Sequence, residues 1–194
     1  MASDIDIASN ALILVGDDPI SSFDDPGAGA QAAANLYPVK YRSFIASHPW
    51  SFALKLQRLS RLTAEPDPFI NFKYGYQMPT DLIRLWAIKP HSNYTIVGDI
   101  LYSNQPELLA MYGFKVAESK LPPHFVTGLE YLLASDFAML VTESESKAKY
   151  YEGKHERQAA KARGIDSQQE PPIPIIDSPF VDVRFGGSST GFFS

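Results

Sequence analysis

Four histidines and a run of aspartates are the side chains here best suited to hold a metal or move a proton. His48, His91, His124 and His155 stand far apart, and no two have the i, i+4 spacing that would put both imidazoles on one helical face around zinc. Asp17, Asp18, Asp24 and Asp25 offer hard oxygen ligands to a divalent cation. They lack the spacing of a calcium loop, and the turn formers among them favour helix caps and Asx turns. The chain has no cysteine, which excludes disulfides, thiolate metal sites and cysteine nucleophiles. It also has no Gly-x-Ser-x-Gly elbow, phosphate loop or dinucleotide fingerprint. The expectation is a protein that is not an enzyme and carries neither metal nor cofactor.

A second pattern is basic. Lys147, Lys154 and Lys161 recur every seven residues with Arg157 among them, so on a helix they share one side. Such a stripe could track phosphates or face a channel. It also fits a solvated face supported by Glu143 with Lys147 and Glu145 with Lys149 at i, i+4. The net charge of −5 gives no general attraction to nucleic acid or anionic lipid, so any contact with DNA must be local.

The third pattern lies at the C-terminus. Pro171, Pro172, Pro174 and Pro179 oppose helix, and the glycine-serine run from Gly186 opposes a packed core. Between them stand Ile173, Ile175, Ile176, Phe180, Val181, Val183 and Phe185. Apolar residues on an extended segment are satisfied by joining another chain's sheet edge, by filling a groove, or by folding back on their own domain.

The elements that must position these residues follow from periodicity. With 194 residues, one folded domain and an appendage are expected, here 1–168 and an extended arm at 169–194. Ser3 with Asp6 reads as an N-cap for a helix over 4–15 that stops at Gly16. Asp25 and Pro26 read as N-cap and N1 of a second helix over 26–48, kinked at Pro38 and ended by Pro49. Pro122 and Pro123 open a strongly apolar helix over 123–142. A charged helix over 144–163 stops at Gly164, taken as a C′ glycine. Residues 51–117 are rich in aromatic and β-branched side chains and predict one small antiparallel sheet. Within it, Gly98-Asp99 should make a hairpin turn and Pro79–Leu82 a helical turn. The fold class expected is α+β, an antiparallel bundle of about four helices with a small central antiparallel β-sheet. No apolar run is long enough to span a bilayer, and the acidic N-terminus does not resemble a signal peptide.

These elements carry a resemblance. Ala11-Leu12, Pro19-Ile20-Ser21-Ser22-Phe23-Asp24-Asp25, Tyr37-Pro38 and His48-Pro49-Trp50-Ser51-Phe52-Ala53 resemble the head-to-tail adaptor family of tailed bacteriophages, one branch of which is called tail tubular protein A. In that family a first helix ends at a glycine followed by a proline-containing turn, and a long second helix ends at a Pro-Trp or Gly-Trp pair. Tyr74-Gly75-Tyr76-Gln77-Met78-Pro79-Thr80-Asp81-Leu82-Ile83-Arg84-Leu85 resembles the pattern of the family's central sheet. The similarity spans roughly residues 5 to 165.

The resemblance implies a dodecameric ring in the virion, assembled in the host cytoplasm, at the head-tail junction. Its partners would be the portal protein and a tail tube or nozzle protein, with DNA only passing non-specifically through the channel and no membrane involved. In several members the C-terminal segment engages the portal, which makes Ile173–Phe185 the candidate portal or neighbour-subunit arm. Two alternatives remain. One is a tail-associated hydrolase or lyase acting on polysaccharide, which would show a pocket with paired carboxylates. The other is a packaging accessory protein with strongly salt-dependent DNA binding.

Overall fold

The computed structural model describes residues 2–64, 66–67 and 69–168. They form a mixed α+β fold of four α-helices and two small antiparallel sheets.

Helix α1 spans Asp4–Val15. Ser3 Oγ accepts from the Asp6 N–H at 3.1 Å and the Asp6 carboxylate accepts from the Ser3 N–H at 2.8 Å, the reciprocal cap expected of this pair. The helix stops where Gly16 takes φ 88°, a left-handed conformation that a side chain would strain. Ile7, Ala8, Ala11, Leu12 and Val15 are fully buried along one side.

Helix α2 runs Ala28–Ala46, so both of its ends depart from expectation. Asp25 does not cap it; its carboxylate turns back to accept the N–H groups of Ser21 and Ser22 and the Ser21 hydroxyl, and the helix opens after Gly27. At the other end Pro49 disfavours a helical backbone at His48, and the helix ends at Ala46, two residues before it. The helix is continuous through Pro38. Ala34, whose carbonyl loses its donor there, is exposed along with Pro38, so water can take the vacant bond.

The β-rich region makes two sheets where one was expected. Strands β1 (Leu54–Arg58), β7 (Leu109–Phe114) and β4 (Leu82–Lys89) form one, in the order β1-β7-β4. Strands β2 (Ser60–Arg61), β3 (Tyr74–Gln77), β6 (Ile100–Ser103) and β5 (Tyr94–Val97) form the other, in the order β2-β3-β6-β5. The reason is a second core: Tyr76, Leu101 and Leu59 meet Ile88, Ala110 and Tyr112 between the sheets. Ile83 and Phe114 meanwhile reach the helical core. One sheet laid on helices could not bury both sets. The β5–β6 hairpin turns at Gly98-Asp99 as expected, with Val97 opposite Ile100 and Gly98 at φ 60°. Pro79–Leu82 forms a single turn, closed by the Leu82 N–H donating to the Pro79 carbonyl at 3.2 Å.

Helix α3, Pro123–Leu140, carries Phe125, Leu129, Leu133 and Phe137 into the core, each fully buried. Phe44 of α2 stacks on Phe125 at 4.4 Å, and Trp50 meets the same ring edge-on at 5.2 Å. Trp50 also donates its indole N–H to the Phe44 carbonyl at 3.0 Å, which fixes how the chain leaves α2. At the C-terminal end of α3 the apolar run outreaches the core, and Leu140 is 60% exposed.

Helix α4 extends Glu145–Ser167, past Gly164, which is an interior residue and not the C′ position. Beyond Gly164, Asp166 is held by a residue far away in sequence, and that contact draws the helix on. One side of α4 faces the core: Ala159 and Ala162 are buried, and Ala148 and Tyr151 pack against the cluster.

Candidate interaction surfaces

The histidines do not converge. The His155 imidazole donates Nδ1–H to the Gly128 carbonyl at 2.8 Å and lies edge-on to Phe44 at 5.1 Å, tying α4 to α3 and α2. His48 Nε2 lies 3.9 Å from the Asp166 carboxylate. Burial pushes the His48 imidazole below its usual value, outweighing the upward pull of Asp166, and the charge of Arg163 adds to the lowering. Ser51 Oγ donates directly to Asp166 Oδ1 at 2.6 Å, so the carboxylate grips the hydroxyl itself instead of acting through an imidazole. Of the acid loop, Asp25 serves the turn, its carboxyl held low by the donors at Ser21 and Ser22. Among the described residues no group of three His, Asp or Glu gathers where a metal could sit.

The basic stripe divides on the structure. Lys147 donates from Nζ to the Val15 carbonyl at 2.7 Å, capping the C-terminal end of α1 where a cation is favoured. It is therefore not paired with Glu143, which sits outside the helix at φ 48°. Glu145 and Lys149 do form the expected pair, at 2.6 Å. Lys154 lies over two tyrosine rings, 4.9 Å from Tyr150 and 5.3 Å from Tyr131. Arg157 and Lys161 are exposed, and no ion pair among the described residues holds either. Two of the four charges thus have internal partners and two are left to solvent.

The candidate arm residues Ile173, Ile175, Ile176, Phe180, Val181, Val183 and Phe185 lie outside the described residues. What the structure gives is the point from which they depart. Asp166, 4% exposed in the last turn of α4, accepts the Ser51 N–H at 2.9 Å as well as the hydroxyl. The end of α4 is thereby fastened to the start of the β-region.

A surface that the sequence did not single out lies where the two sheets open. β4 is an edge strand of one sheet and β5 an edge strand of the other. Residues from both line two grooves. The first, of about 400 Å³, is bounded by Trp86, Ile88 and Tyr94. The second, of about 450 Å³, is bounded by Met78, Leu85 and Ile96. Tyr94, Ile96 and Val97 are 44%, 43% and 54% exposed. The aromatic and β-branched run Tyr94–Val97 reads as a strand, but a strand's place at a sheet edge depends on partners far away in sequence. Asp166 left a different trace, since an acid in the last turn of a helix opposes the dipole and needs a compensating partner.

Comparison with protein-family models and with curated proteins finds no match to this chain.

Proposed function

We propose that this chain is a structural head-to-tail adaptor of a tailed bacteriophage, forming a ring that docks on the portal and extends the DNA channel toward the tail. The observation that carries the reading is the order of its joints. A first helix stops at a left-handed glycine followed by an irregular segment that contains Pro19. A long second helix is closed by a Pro-Trp pair whose tryptophan is 1% exposed, and a β-rich insertion separates it from an apolar third helix. That order resembles the adaptor family's.

In this reading the four helices form an antiparallel bundle and residues 169–194 an extended arm reaching the portal or a neighbouring subunit. Twelve copies close the ring through heterologous interfaces. Arg157 and Lys161, without ion-pair partners among the described residues, face the channel or the portal, whereas Lys147 and Lys154 hold the fold.

The test is a chain ending at Gln169, assayed for co-sedimentation with the portal of the same virus. Its circular dichroism and melting temperature are expected to match those of the full chain while docking is lost. Normal docking by the truncated chain would overturn the arm's role.

A further inference from the structure

The strand β5 is an edge without the usual protection. Its sequence, Tyr94-Thr95-Ile96-Val97, contains no charge or proline, and among the described residues it pairs only with β6, in unbroken register. The register places Ile96 opposite Leu101, and Leu101 opposite Tyr76, so all three lie on one face of the sheet. On that face Leu101 and Tyr76 are 0% and 1% exposed, but Ile96 is 43% exposed. Tyr94, one alternation away, is 44% exposed. On the two central strands this face is buried at Tyr76, Leu101 and Ser103, whereas along the edge strand β5 it is open toward the cleft with β4. A segment added beside β5 would complete the hydrogen-bond ladder and bury both side chains together.

The chain contains one segment suited to this. Of residues 169–194, the portion up to Pro179 is interrupted by four prolines, and the portion from Gly186 is glycine- and serine-rich. Only Phe180–Phe185 lies free of both. From Val181 it reads Val-Asp-Val-Arg-Phe, with apolar residues alternating against Asp182 and Arg184, the pattern of a half-buried strand. The path from Gln168 to Val181 can extend roughly 45 Å, about the diameter of a domain of this size. Prolines along that path favour a stiff, outward course over a return to the same domain.

We infer that residues 181–185 of one copy pair with the open edge of β5 in a neighbouring copy, seating Val181, Val183 and Phe185 against Tyr94 and Ile96. The inference rests on the ring-forming reading above and adds to it the surface that receives the arm.

The absence of cysteine makes a direct test available. Chains carrying Ile96→Cys and chains carrying Val183→Cys, distinguished by tag size, are co-expressed and oxidised. A reducible cross-link between the two is expected at least tenfold above that between Val183→Cys and the remote Val39→Cys. A second measurement avoids any change in the folded domain: Val183→Pro, which cannot pair as a strand, is expected to raise amide hydrogen exchange across residues 94–97 about tenfold. Three results overturn the inference: cross-linking at the control level, closure only within a chain carrying both cysteines, or coupling dominated by Ile96→Cys to itself. Negative-stain images of the same samples separate the two readings. Rings without the cross-link defeat strand exchange alone, and a cross-link without rings defeats the adaptor assignment alone.

Discussion

Asp166 and Ser51, 115 residues apart, are joined by a carboxylate that accepts both the backbone N–H and the hydroxyl of the serine, at 2.9 and 2.6 Å. The contact fastens the last turn of α4 to the point where the chain enters β1. Truncating the 4% exposed Asp166 removes charge-assisted hydrogen bonds to the part-buried Ser51, at a cost of about 1.5–3 kcal/mol. Asp166→Ala is therefore expected to lower the melting temperature by roughly 2–4 °C per kcal/mol for a chain of this length. A melting temperature equal to that of the unsubstituted protein would show that the fastening is not structural.

Three glycines in helices give opposite expectations. A Cβ at Gly128 would stand 3.0 Å from the Phe44 ring, which is itself stacked on Phe125 and cannot retreat. Gly128→Ala should destabilise by about 1–3 kcal/mol in urea unfolding. Gly153 and Gly164 face open space, so alanine there should stabilise by up to about 1 kcal/mol through helix propensity. The sign at Gly164 also tests the length of α4, because a left-handed C′ glycine would make alanine unfavourable.

Stability should fall at both extremes of pH for identifiable reasons. The hydrogen bond from Lys55, joined by that from Tyr112, holds the Asp81 carboxyl below its usual range. Because the folded value is the lower one, its contribution is complete above the ordinary carboxylate pKa of about 4 and is lost as pH falls through the folded value. Burial, followed by the bond to Asp81, pushes the Tyr112 phenol up to about 12. Its contribution is complete below the ordinary phenol pKa of about 10 and disappears as pH rises toward 12. Urea midpoints measured against pH should show a flatter acid limb for Asp81→Asn and a shallower alkaline limb for Tyr112→Phe. Unchanged limbs would remove this pair from the account.

The basic stripe predicts a division of effect. Lys147→Met removes a cap on the Val15 carbonyl and should cost about 0.3–1 kcal/mol. Arg157→Ala with Lys161→Ala should leave stability within about 0.5 kcal/mol while weakening contact with portal or DNA. Equal melting effects from the two changes would contradict the division.

Much of the framework was legible in the sequence because it is written in local chemistry. The Ser3–Asp6 cap, the Gly16 stop, the Gly98-Asp99 hairpin and the proline start of α3 each depend on residues a few positions apart. What was misread depends on distant partners. Asp25 was drawn from the helix by Ser21 and Ser22, and Gly164 was carried inside α4 by the grip of Asp166 on Ser51. The single expected sheet became two because the aromatic strands needed a core of their own. Of the candidate sites, the basic stripe was visible as spacing, but that Lys147 would reach Val15 was not. The open edge at β5 had no sequence signal beyond the strand itself.

The most direct measurement of the proposed adaptor role is an averaged image of phage particles assembled with a tagged copy of this chain, the copy located by its tag. A closed ring of copies between the portal and the tail, each with its C-terminal segment lying on a neighbouring copy or on the portal, is the predicted result. Density for the tag away from the junction, or solitary copies with that segment folded into their own core, would contradict the account.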